Sequence, residues 1–347
     1  MEAEPTFDCP VPDEPTDSVS IAHGGGGRIM RRLIEDELRP LYADASLCEL
    51  DAAVLESPPG RLAMTTDSFV VDPIFFPGGD IGKLAVCGTV NDLAMSGATP
   101  LYLSLALIIE EGFPVADLRR ILRSIRDTAD EAGVRIVTGD TKVVGRGKGD
   151  RIYINTTGVG AVPAGLTIAP GRIAADDAIL INGDLGRHGA AIMSSRAAAD
   201  GGVPADLDID SDVMSLAAVV RDLIEREIDV HCLRDLTRGG LASALNELAS
   251  AAGLHATLDD SSIPVHPTVA SYCEILGLEP HYLANEGRFV CVVRQEDAAR
   301  ALETLGPEAV QIGTFRDGQR AGVSLRMSWG AERVLPMLSG EQLPRIC

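Results

Sequence analysis

The sequence predicts a two-domain α/β protein, and three observations carry that expectation. The chain has 347 residues, enough for two units of about 100–200 residues with separate cores. Strand-like and helix-like hydrophobic periods alternate in both halves. Between the halves, residues 162–171 (VPAGLTIAPG) carry the Pro and Gly turn chemistry of a domain junction. Composition agrees with a folded enzyme: 46% of residues are hydrophobic, and Gly is abundant at 36 against 4% aromatics.

The elements follow in order. Residues 1–18 hold four Pro among acidic residues and no hydrophobic period, so they are expected to be a disordered acidic tail. Ile29, Met30, Leu33, Ile34 and Leu38 fit one face of a helix over 28–38, ended by Pro40. Strands are expected over 61–71, 101–109, 135–138 and 151–162; in the last, Ile152, Ile154 and Thr156 alternate with Tyr153, Asn155 and Thr157. A helix over 115–132 puts Leu118, Ile121, Leu122, Ile125 and Ala129 on one stripe, with Pro114 before it and Gly133 after it. The second half reads as a strand over 178–182, a helix after Gly189, an Asp-rich loop over 200–212, a helix over 239–252, a strand over 288–293 and a helix near 297–305. The resulting division is 19–162 for an N-terminal domain, 163–337 for a C-terminal domain, and 338–347 for a flexible tail.

Charge and cysteine usage narrow the function. With 30 Lys+Arg against 51 Asp+Glu the formal charge is −21, which disfavours broad nucleic-acid binding and anionic membrane surfaces. A nucleotide remains open as a ligand, because a metal ion reconciles carboxylates with phosphates. The seven Cys, at 9, 48, 87, 232, 273, 291 and 347, include no CxxC pair, which argues against zinc ribbons and thioredoxin-like motifs. No signal-peptide pattern opens the chain and no apolar run reaches ~20 residues, so a reducing, cytoplasmic setting is expected.

Five aspartates share a habit. Asp51, Asp67, Asp92, Asp140 and Asp235 sit at strand ends or turns beside Gly, Ser, Thr or Ala. Singly, each reads as a turn or cap residue. Together they would repel and need a cation to stay ionised, and hard oxygen ligands suit Mg²⁺ bridging to phosphate. Residues 23–27 (HGGGG) precede a helix and serve either phosphate approach or a hinge. Residues 145–149 (GRGKG) lack GxxxxGK[ST] spacing and read as a hairpin loop; Gly78 and Gly79 read as a turn, and Gly239 and Gly240 as a helix-opening nest. His188, His231, His255, His266 and His281 have no metal-ligand spacing and read as surface or core residues, and no GxSxG elbow is present. Cys347 ends the chain, so it cannot be prenylated. On an extended tail from Pro336 it would reach roughly 35 Å, as a carrier arm does.

Residues 65–100 (TTDSFVVDPIFFPGGDIGKLAVCGTVNDLAMSGATP), with 23–27, 137–144 (VTGDTKVV), 235–240 (DLTRGG) and the terminal PRIC, resemble the HypE family of hydrogenase-maturation carbamoyl dehydratases. The resemblance spans about residues 20–347. It implies an aminoimidazole ribonucleotide synthetase-like fold, a homodimer through the N-terminal sheets, and ATP in a cleft beside that interface. It also implies that HypF places a carbamoyl group on the terminal thiol, that ATP drives its dehydration from thiocarboxamide to thiocyanate, and that the cyano group passes to iron on HypC–HypD for [NiFe] hydrogenase. By position, the resemblance assigns Asp51, Asp92 and Asp235 to Mg²⁺, and Asp67, Asn91, Asp140, Thr141, Gly25 and Gly26 to ATP. Cys347 is the acceptor, Lys142 lies along the phosphates or the tail, and Glu286 is the base or a tail-orienting residue. No Cys stands by the glycine loop, unlike in selenophosphate synthetases. Two other readings keep the aspartates: a small-molecule kinase or ligase of the same superfamily, with no use for Cys347, and a nucleotide-gated carrier that does no chemistry.

Overall fold

The computed structural model describes residues 17–42, 52–199, 208–318, 320–338 and 345–347. Its N-terminal half is a four-stranded sheet with helices on one face. β1 (Arg61–Phe69) is followed by a small hairpin, β2 (Phe75–Phe76) and β3 (Gly79–Asp80), and then by α2 (Ile81–Met95). α1 (Arg28–Leu33) precedes them and loosens into a π-helical turn over Ile34–Leu38 and a 3₁₀ turn over Arg39–Leu41, so Pro40 lies in the last turn rather than just past it. β4 (Thr99–Glu110), α3 (Val115–Ala132), β5 (Arg135–Val144) and β6 (Ile152–Val162) complete the half. The strand order is β1-β6-β4-β5, with only β4 and β5 parallel.

Local chemistry accounts for these elements. Gly133 ends α3 in the left-handed region, at φ 69°, where a residue without Cβ is favoured. The Asp80 carboxylate caps α2 by accepting from the amides of Gly82 and Lys83 at 2.8 and 3.0 Å. α2 is buried nearly all round, and a Cβ on Gly82 would come within 2.7 Å of the Ile121 carbonyl. β5 runs six residues further than the expected 135–138, so Asp140, Thr141 and Lys142 lie in the strand itself. The expected tail boundary at residue 18 also shifts: residues 1–16 lie outside the described residues, but Ser18 bridges to Pro114, and Val19 is buried, donating its amide to Phe113 at 2.8 Å.

The second half is a seven-stranded sheet of order β13-β12-β9-β11-β7-β10-β8. Its strands are β7 (Ala178–Ile181), β8 (Val230–Asp235), β9 (His255–Asp259), β10 (Phe289–Val293), β11 (Val310–Arg316), β12 (Gly322–Arg326) and β13 (Glu332–Val334). Helices α4 (Arg187–Ala199), α5 (Ala217–Glu225), α6 (Gly240–Ala252), α7 (Pro267–Leu276) and α8 (Ala298–Leu305) surround it. α4 begins two residues before the expected Gly189. One apolar cluster joins Ala94 and Met95 of α2 to α5, β8 and β10. Another takes Ile192, Val213, Ala284 and Ile346 into the N-terminal core. Both cross the domain boundary.

Candidate active site

Four carboxyl side chains from four separate segments meet where the two halves join. Asp67 lies on β1, Asp92 on α2, Asp235 at the end of β8, and Glu286 in the turn before β10. The β1 register pairs Asp67 with Thr156 of β6, which puts Asp67 on the helix side of the sheet. Thr65, two residues earlier on that face, donates to Asp92 at 2.7 Å. Burial, then the Asp92 charge and a hydrogen bond with its carboxyl, push Asp67 up to about 6 against the pull of Arg238. Burial, then Asp92, push Asp235 up to about 7.

Glu286 is the most confined of the four. It is 3% exposed, and its Oε1 has no hydrogen-bond partner. Burial raises its carboxyl well above the usual range, and Asp235, Asp212, Asp67 and Asp92 add to the effect. The turn that carries it is fixed by its neighbours. The Asn285 amide donates to the carbonyls of Leu236 and Leu283 and accepts from Gly186 at 2.7 Å. Asp212 receives the amides of Glu286 and Gly287 at 3.2 and 3.1 Å. Any Cβ on Gly287 would collide with the Asp212 carbonyl.

The chain terminus enters this pocket. Expected as part of a flexible tail, Arg345, Ile346 and Cys347 are here docked against the segment that follows β1: Val70 donates to the Cys347 carbonyl at 3.2 Å and Asp72 to that of Arg345 at 3.3 Å. Ile346 is 4% exposed, and its carbonyl lies 2.7 Å from His188 Nε2. Arg345 donates to Val70 at 3.3 Å and pairs with Asp72 and Asp150, while Arg196 donates to the carbonyls of Asp72 and Arg345. Burial, then Glu286, push the Cys347 thiol up to about 12, with Asp67 and Asp235 adding and Arg238 opposing. The terminal sulfur therefore shares the field of the carboxyl cluster.

The remaining sequence-expected residues divide. Asp140 pairs with Ala106, which pairs with Asn155, which pairs with Ser68, so Asp140 lies on the face of the sheet opposite Asp67. There it is exposed and bonded to Lys142 at 2.7 Å, and that bond holds its carboxyl below the usual range. Thr141 points inward and is buried. Gly25 and Gly26 are exposed beside the β5 edge, where Gly24 packs on Val143. Asn91 does not present a free amide to a nucleotide. Its Nδ2 donates to the carbonyls of Met214 and Glu286, and its Oδ1 accepts from Leu216, so the side chain ties α2 to the second half. Asp51 lies outside the described residues.

Sequence reasoning missed the roles of His188, Arg196, Ser211 and Asp212, whose partners are far away in the chain; Arg345 carried a signal only as part of the terminal PRIC motif. Among the described residues no three His, Cys, Asp or Glu side chains stand close enough to hold a metal by themselves. Asp92 and Asp235 share one field, and two carboxylates leave a hard cation room for phosphate oxygens as further ligands.

The AIR synthase related protein families match both halves, the N-terminal domain over residues 49–162 and the C-terminal domain over 174–326. The carbamoyl dehydratase HypE of Rhodobacter capsulatus is 48% identical over 337 residues, 95% of this chain and 98% of that protein. The chain belongs to the HypE family of carbamoyl dehydratases. A HypE solved in complex with ATP superposes with a TM-score of 0.89 at 44% identity, covering 94% of this chain and 99% of that one. The HypE of a HypE–HypF complex gives 0.76 at 42% identity, covering 88% and 99%. The expected two-domain, aminoimidazole ribonucleotide synthetase-like fold is thus the HypE fold.

Proposed function

We propose that this chain uses ATP to dehydrate a carbamoyl group carried on its own Cys347. The observation that carries the proposal is the docked terminus, which puts the sulfur in the field of Glu286, Asp67 and Asp235. The carbamoyl oxygen attacks the γ-phosphorus of ATP, the bond to ADP breaks, and one N–H proton is lost. The product is an imidate with phosphate on its oxygen. Loss of the second N–H proton then expels phosphate and forms the C≡N bond. Sulfur keeps the cyano group, and one ATP becomes ADP and phosphate.

Glu286 is suited to take an N–H proton. Its Oε1 is free of partners and its surroundings strengthen it as a base. Asp92 and Asp235 would hold magnesium, together with Asp51, which keeps the assignment that the resemblance gives it; Asp67 would complete the ATP shell. Bound there, Mg²⁺ would neutralise charge on the transferring phosphoryl group. Such an ion answers the chemistry of the cluster, whose members otherwise raise each other's proton affinity.

A homodimer is part of the same proposal. The outer face of the N-terminal sheet exposes Leu62, Met64 and Ile108, at 63%, 74% and 43%, apolar side chains that a second copy would cover. Asp140 and Lys142 act with ATP from that side, Gly25 and Gly26 from beside the β5 edge, and Thr141 from the inner face. HypF is the carbamoyl donor, HypC–HypD the cyanide acceptor, and the cytoplasm the setting; among the described residues no helix is long and apolar enough to cross a membrane.

The test is the mass of the C-terminal peptide. Carbamoylated protein given Mg-ATP should lose one water from Cys347, and a peptide of unchanged mass would refute the reaction. Cys347→Ala should bind ATP normally and form no product.

A further inference from the structure

We infer that His188 is a positioning residue for the loaded terminus, and that the strap carrying Ser211 and Asp212 sets the cargo-bearing peptide and the Glu286 turn as one unit. The inference deepens the proposed reaction and rests on it for the cargo on Cys347 and the role of Glu286. His188 is fully buried on α4. Its Nε2 faces the Ile346 carbonyl at 2.7 Å, and a carbonyl only accepts, so Nε2 carries the hydrogen. Burial keeps the ring neutral, which leaves Nδ1 as an acceptor for the Ser211 hydroxyl at 2.8 Å. The Phe76 ring stands edge-on to the imidazole, 5.5 Å between centroids. The ring therefore has one orientation, and that orientation fixes the carbonyl next to the reacting sulfur.

Ser211 is itself anchored, donating its amide to Pro77 at 2.9 Å. The next residue, Asp212, holds the amides of Glu286 and Gly287. Adjacent Cα atoms are ~3.8 Å apart, so one rigid stretch of chain sets both the acceptor peptide and the buried carboxyl. Further along, Asn91 grips Met214 and Leu216, which ties the strap to the helix that bears Asp92. His188 touches neither cargo nor nucleotide. It acts through Ile346.

The test uses the full-length protein and two readouts, the rate at which a maleimide labels Cys347, read on the C-terminal peptide, and the rate of ATP-driven water loss from carbamoylated Cys347. His188→Phe keeps a ring against Phe76 and removes both hydrogen bonds. It should speed labelling and slow water loss, each about tenfold, the equivalent of one hydrogen bond, with KM for ATP unchanged. A general folding defect would not leave KM for ATP unchanged while moving the two rates in opposite directions. His188→Gln restores an N–H near the Nε2 position and should recover both rates; failure there would overturn the hydrogen-bond argument. Should His188→Phe melt below wild type, Ser211→Ala decides, with about a threefold change expected in both rates and none overturning the inference. Wild-type rates in a fully folded His188→Phe also overturn it. If wild-type protein never loses water yet His188→Phe exposes the thiol, the dehydration reading falls and the positioning role stands.

Discussion

The two faces of the N-terminal sheet put the same side chain to opposite uses. Asp67 and Asp140 are both aspartates in strands of one sheet, but alternation sends them to opposite sides. On the helix side, burial and neighbouring carboxyls raise Asp67 to about 6. On the outer side, water and Lys142 keep Asp140 ionised. Surroundings, rather than residue type, decide which carboxylates call for a cation.

The comparison is tested most severely by Asp235→Asn. Removing one member of the inner cluster should lower ATP-driven turnover at least ~10²-fold, as losing a preorganised charge at a phosphoryl site does. The same change should raise the melting temperature of ligand-free protein at pH 8. The sign follows from linkage: a carboxyl whose folded pKa is raised binds more protons folded than unfolded, so stability falls as pH rises between the unfolded pKa and the folded value. For Asp67 and Asp235 that window runs from 3.8 to about 6 and about 7. Ligand-free protein should therefore lose stability across it, and Mg-ATP should restore it. An unchanged melting profile in calorimetry would show that the inner carboxyls do not strain one another.

A smaller effect is expected from the outer face. Met64→Glu should dissociate the proposed dimer in sedimentation while changing the monomer's melting temperature little, because Met64 is 74% exposed. A variant that stays dimeric would move the interface elsewhere. The smallest change is expected from Lys142→Gln, with KM for ATP up about tenfold, the scale of one charged hydrogen bond, and kcat nearly kept. A kcat loss equal to that of Asp235→Asn would unite the two faces in one catalytic set.

Legibility followed pattern strength. α3 was readable to the residue, since an apolar stripe lies between Pro114 and Gly133. β6 was readable from strict alternation. α2 was not, although it carries Asp92, because a helix buried on nearly every side has no polar face to mark its period. The strands β8, β9, β11, β12 and β13 and the helices α5 and α7 were likewise missed, being short or uniformly apolar. In the site, Asp67, Asp92 and Asp235 stand out in sequence by their strand-end and turn positions and Cys347 by its place at the chain end, while Glu286 is named by the motif resemblance alone. Asn91 was found too, but its work as an interdomain tie could not be foreseen from a dipeptide beside Asp92.

Composition, period and motif were enough for the two-domain architecture, the family and the residue types of the chemistry, because those are local properties of the chain. Contact in space alone revealed that the terminal thiol lies among the inner carboxyls, that Asp140 and Lys142 face away from them, and that His188 holds Ile346. That last pair is 158 positions apart in sequence. Burial and charge coupling belong to the assembled surroundings of a group, and no window along the chain contains them.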